Sequence, residues 1–164
     1  MKNQNVLFLT QSAMIAALYV VLTFLANSLG LASGAIQIRF SEALTILPFF
    51  TAAAIPGLGI GCLLANILTG CAPYDILFGT IATLLGAVGT YGLRKFQWLA
   101  PIPPILANTL IIPLILAYVY GLEDGVPYLM LTVGIGEVIS CGILGMTLLF
   151  SMKKYTKLFK NSSL

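Results

Sequence analysis

The chain has 164 residues, 59% of them hydrophobic and only 8% charged, with a mean hydropathy of +1.02. A soluble domain carries about 25% charged residues, so this composition argues against a water-facing enzyme, a disordered chain or an appended globular domain. Eight basic against five acidic residues leave +3, too weak and dispersed for nucleic acid. The absence of histidine removes Ser-His catalysis, HExxH zinc sites and imidazole relays.

A helix that crosses a bilayer needs roughly 20 apolar residues, so six would use about 120 and leave about 44 for tails and short loops. Helix 1 is predicted over Val6 to Ala26, behind Lys2. A signal peptide has a shorter apolar core and a small-residue cleavage site, so this run reads as a span. Asn27 to Gln37 is a Gly/Ser-rich loop. Helix 2 is expected over Ile38 to Ala54, closing at Ile55-Pro56-Gly57, and a short helix 3 over Leu58 to Thr69. After Gly70 to Tyr74, Asp75 is expected to cap helix 4, Ile76 to Leu93, which stops at Arg94-Lys95. Helix 5 covers Leu99 to Tyr120, with Pro101, Pro103 and Pro104 in its first turns and Pro113 expected to kink it. A polar loop, Gly121 to Gly125, leads to helix 6, Val126 to Met152, and a tail with Lys153, Lys154, Lys157 and Lys160. The expectation is one all-α domain over residues 1–164 with six transmembrane helices.

In that topology Lys2, Arg94, Lys95 and the tail lysines share one side, which places both termini in the cytoplasm. Asp75, Glu123 and Asp124 fall at the outer side.

Charges within spans cost about 2.5–3.5 kcal/mol each and usually face a partner or a cavity. Arg39 and Glu42, three apart, share a helix face; they form either an internal salt bridge or the wall of a polar pocket open to the outside. Glu137 follows Val133-Gly134-Ile135-Gly136 with no basic residue nearby, and is a ligand-binding carboxylate or a protonated carboxyl bonded to backbone. Asn66 and Asn108 sit in apolar runs, as interhelical hydrogen bonders or ligand contacts, and Asp75 could be only a cap. Gln37, Tyr74 and Tyr128 lie near outer helix ends, where interfacial side chains are expected regardless of function. Cys62, Cys71 and Cys141 lack CxxC spacing and read as small apolar residues. Ala13 and Ala17, like Gly57 and Gly61, are four apart, a spacing that lets helices approach closely. Gly57 to Gly61 has no following Lys-Ser/Thr, so the chain carries no phosphate loop.

Gln37-Ile38-Arg39-Phe40-Ser41-Glu42-Ala43-Leu44, Leu47-Pro48-Phe49-Phe50, Ala54-Ile55-Pro56-Gly57 and Gly61-Cys62-Leu63-Leu64-Ala65-Asn66 open a series of stretches. Asp75-Ile76 with Phe78-Gly79, Leu99-Ala100-Pro101-Ile102-Pro103-Pro104 and Gly134-Ile135-Gly136-Glu137 complete it. Together these resemble the QueT family, substrate-binding S components of energy-coupling factor (ECF) vitamin transporters. The resemblance implies a six-helix fold with an outward-facing site and uptake of a queuosine precursor, 7-aminomethyl-7-deazaguanine or queuine. It also implies that the Ala13/Ala17 face of helix 1 docks on a transmembrane coupling subunit, and that two partner ATPases hydrolyse ATP. No cofactor is implied, and this chain is not itself an enzyme. Glu42, Asp75 and Glu137 supply acids for a guanine edge and an aminomethyl cation; Arg39, Asn66 and Asn108 suit the carbonyl and ring nitrogens. The alternatives are a proton-coupled transporter using Glu137, or an S component for another vitamin. A membrane enzyme lacks ligand motifs, and a purely structural protein leaves Arg39, Glu42 and Glu137 unexplained.

Overall fold

From Val6 to Ala26 the chain has neither Gly nor Pro, so nothing interrupts a helix, and α1 spans Lys2–Ser28. It ends where Gly30 adopts φ 70 and Leu31 N donates to Ala26 O at 3.0 Å, a left-handed stop that glycine supplies without strain. The computed structural model describes residues 2–31, 36–119, 121 and 125–153. Glu123, Asp124, Lys154, Lys157 and Lys160 lie outside them.

The second helix departs from the sequence expectation. In place of Ile38 to Ala54, a 10-residue 3-10 helix covers Phe40–Phe49. Pro48 lacks the N–H that an α-helix would use, and Thr45 Oγ1 donates to Glu42 O at 2.6 Å, a side-chain bond to a main-chain carbonyl. At about 2.0 Å rise per residue the segment still covers about 20 Å. Pro56 and Gly57 lie inside the first turn of α2 (Ala54–Leu68) rather than in a turn before it.

The next helix, α3, spans Pro73–Gly92. Ala72 is its cap, so Asp75 sits in the first turn and not at the N-cap. A single 3-10 turn, Gln97–Leu99, precedes α4, Ile102–Tyr118, which has Pro113 in its interior. The last pass is continuous over Val126–Lys153: α5 (Val126–Glu137), a π-helical stretch (Val138–Leu144) and α6 (Gly145–Lys153).

The described residues therefore form an all-α bundle. Asn3–Ser28, Pro73–Gly92, Gln97–Tyr118 and Val126–Lys153 are long and apolar enough to cross a membrane; Phe40–Phe49 and Ala54–Leu68 are shorter apolar helices between them. Large apolar side chains such as Leu18, Leu68, Leu106 and Leu131 face outward, as lipid contact requires.

Small residues set the helix spacing. A Cβ on Gly57 would lie 2.7 Å from Ser12 O, and one on Gly61 2.7 Å from Tyr19 Cβ, so α1 and α2 touch backbone to backbone. Gly86 and Gly89 accept Pro104 and Pro103 of α4 in the same way. This contact leaves Ala13 and Ala17, on the other side of α1, exposed. At the far end of α3, Lys153 Nζ donates to Gln97 Oε1 and Trp98 meets Phe150 edge-on at 5.4 Å. Arg94, Lys95 and Lys153 thus share one end of the bundle.

Candidate functional site

The C-terminal parts of α1 and α2, the start of α3, the last turns of α4 and the segment entering Phe40–Phe49 enclose a cavity of about 390 Å³. Tyr19, Thr23, Asn27, Gln37, Arg39, Ser41, Asn66, Thr69, Cys71 and Asp75 give it a polar wall within an apolar bundle. The twenty residues of α3 put Asp75 about 30 Å from the Arg94-Lys95 turn, so the cavity and the basic residues occupy opposite ends.

Three of the six sequence-derived binding residues, Arg39, Asn66 and Asp75, line this cavity. Arg39 caps the Phe40–Phe49 helix with extended backbone (φ -109, ψ 107), which turns its side chain away from the helical face assumed from the i, i+3 spacing. Its main-chain N–H donates to Ser140 Oγ at 3.1 Å, and Nη2 donates to Gln37 Oε1 at 3.4 Å. Asn66 Nδ2 donates to Asp75 O at 3.3 Å, tying the end of α2 to the first turn of α3. Gln37, read from sequence only as an interfacial residue, belongs to the cavity wall.

Glu42, Asn108 and Glu137, the other three, lie behind the wall. Glu42 is 2% exposed; Tyr19 Oη donates to its Oε1 at 2.5 Å and Asn108 Nδ2 to its Oε2 at 3.4 Å. Glu137 accepts from Cys141 Sγ at 3.2 Å, and Gly136 before it presses against the main chain at Gln37. Ligand atoms of Glu42, Glu137 and Cys141 lie within 4.8 Å of one another. They are near enough to surround a cation, yet Tyr19 and Cys141 already donate to the two carboxylates, and the group stands as a hydrogen-bonded cluster. Arg39 lines the cavity and Glu42 lies behind it, yet the guanidinium's charge still acts on the Glu42 and Glu137 carboxyls.

Tyr19 joins the two layers. It is a wall residue whose hydroxyl reaches the inner carboxylate. Sequence reasoning passed over it, because one tyrosine in an apolar span carries no periodic signal. Ser41 was passed over as well; its hydroxyl is buried and has no hydrogen-bond partner among the described residues.

Comparison with known proteins adds identity to this geometry. A family model described as QueT transporter matches residues 9–154. The chain is 34% identical over 85 residues to "Queuosine precursor transporter QueT" of Lactococcus lactis subsp. cremoris; the match covers 52% of this chain and 50% of that relative, so the chain spans about half the length of the relative it matches. No solved structure matches.

Proposed function

The chain belongs to the QueT transporter family, and we propose that it is the substrate-binding membrane subunit of an ECF-type importer for a queuosine precursor. The observation that carries this reading is the polar cavity. Its 390 Å³ falls in the range of about 300–1,000 Å³ typical of small-molecule sites. Its donors and acceptors suit a heterocycle with a guanine-like edge: a carboxylate such as Asp75 accepts from ring and exocyclic N–H groups, while Arg39 and Asn66 donate to a carbonyl. The inner pair Glu42 and Glu137 provides the acidic acceptors that an aminomethyl group would meet. The positive-inside rule, applied to the end bearing Arg94, Lys95 and Lys153, supports a cytoplasmic location for that end and an outward-facing cavity. ATP hydrolysis then belongs to partner subunits reached through the Ala13/Ala17 face.

The deciding experiment is mass spectrometry of small molecules that co-purify with the protein, followed by titration with deazapurines and unrelated vitamins. A retained 7-deazaguanine supports the proposal; a bound flavin, thiamine or biotin overturns the substrate assignment. Glu137→Gln preserves size and removes the carboxyl group. It is expected to weaken binding by about 1.5–3 kcal/mol, the scale of a charged hydrogen bond, with folding retained. Unchanged affinity for every deazapurine would remove Glu137 from the site.

The adjacent buried carboxylates favour one other reading, proton-coupled transport. Uptake that a protonophore abolishes and that survives loss of the partner ATPases would select it.

A further inference from the structure

We propose that Tyr19 sets the specificity of the cavity: its hydroxyl covers Glu42 and gives that carboxylate up to a ligand bearing a primary amine. Resting on the site proposed above, this deepens it by naming the group that reaches the inner layer.

The argument begins with burial. A carboxylate as enclosed as Glu42 must have donors, and Tyr19 Oη supplies one at 2.5 Å while Asn108 supplies a weaker second at 3.4 Å. Tyr19 is the wall residue standing between the cavity and Glu42. An ammonium group arriving along the cavity competes for Oε1 with a phenol; both bonds to a carboxylate are charge-assisted, and only the ammonium adds a full positive charge opposite it. Glu137, whose carboxyl oxygen lies within 4.8 Å of that of Glu42, offers a second acceptor at the same depth. A ligand with an apolar group at the same position has nothing to offer Glu42 and meets a closed wall. Ser41, next to Glu42 in sequence, is a residue of the cavity wall whose buried hydroxyl has no partner among the described residues. Such a hydroxyl costs stability unless something bonds it, and a ligand amine seated beside Glu42 has N–H groups to spare. Tyr19 therefore discriminates by exchange: Glu42 is always bonded, to the protein or to the correct ligand.

The test is calorimetric titration of the full chain in detergent with 7-aminomethyl-7-deazaguanine and with 7-ethyl-7-deazaguanine, which replaces the amine by a methyl group. The ratio of the two affinities is the readout. Glu42→Gln should reduce the preference for the amine by about 10- to 100-fold, the value of a charged hydrogen bond. Tyr19→Phe removes the competitor and keeps the ring, so the preference should rise by about 3- to 10-fold. If Glu42→Gln fails to fold, Tyr19→Phe alone decides. Equal weakening of both ligands in Tyr19→Phe, or a ratio unmoved by either substitution, overturns the proposal. Should the unaltered protein bind neither deazaguanine, the substrate reading fails. The same two variants are then titrated with 5-aminomethylpyrimidine and 5-ethylpyrimidine. A preference for the amine that moves in the two stated directions supports the role of Tyr19, and its absence overturns it.

Discussion

Replacing Ala17 by tryptophan is expected to abolish uptake while leaving ligand binding by the isolated protein intact. Ala17 and Ala13 are exposed on α1, flanked by the exposed Met14, Leu18 and Val21. The opposite side, Ser12, Ile15, Ala16 and Tyr19, is buried against α2, where Gly57 and Gly61 permit near-contact of the backbones. A bulky group at position 17 therefore meets lipid in the lone protein, and folding and the cavity should be undisturbed. In the importer proposed above, it would hold a docking helix of the coupling subunit away by the width of an indole, which removes the close backbone approach that small residues make possible. Uptake of labelled precursor in cells expressing this chain with the proposed partner subunits should fall to background, and titration in detergent should match the unaltered chain. Parallel loss of both would show that this face serves the fold of the protein itself.

Exchanging Arg39 and Glu42 (Arg39→Glu with Glu42→Arg) should eliminate detectable binding and cost about 3–5 kcal/mol of stability, read by thermal unfolding in detergent. The two positions are not equivalent. Glu42 occupies an enclosed site built for an acceptor, with Tyr19 Oη and Asn108 Nδ2 both donating into it. A guanidinium there is larger than the carboxylate and offers only donors, so Tyr19 and Asn108 both have to turn from donating to accepting in an enclosed site. Arg39→Gln separates binding from folding. Glu42 keeps both hydrogen-bond donors in that variant and loses only the nearby positive charge, so the chain should fold while affinity falls by about 1.5–3 kcal/mol. An exchanged protein that still binds would reduce both residues to structure.

Much of this architecture was legible from composition and punctuation. Long apolar runs bounded by Gly, Pro and charge located the four spans to within a few residues, because lipid demands continuous helix and leaves little else possible. The Phe40–Phe49 segment was not legible as a 3-10 helix. Its apolar content suits either helix type, and the choice depends on Pro48, on the bond from Thr45 to Glu42 O and on packing against α1 and α3. That misjudgement carried into the site, since a regular α-helix through Arg39 and Glu42 would have aimed both at one place. Charges and amides in apolar runs identified six residues that the fold gathers around one region, but depth was invisible. Only the assembled bundle shows Arg39, Asn66 and Asp75 on the wall and Glu42, Asn108 and Glu137 behind it.

The three cysteines differ in a way that turns the native chain into its own reporter. Cys62 and Cys141 are each 1% exposed, whereas Cys71 is half-buried in the cavity wall. A maleimide too polar to cross the bilayer can reach that one thiol by way of the cavity mouth, without any engineered cysteine. Labelling of intact cells, set against inside-out vesicles, would thus read the direction in which the mouth points. The rate at which a bound molecule slows the labelling would give occupancy from the same sulfur atom.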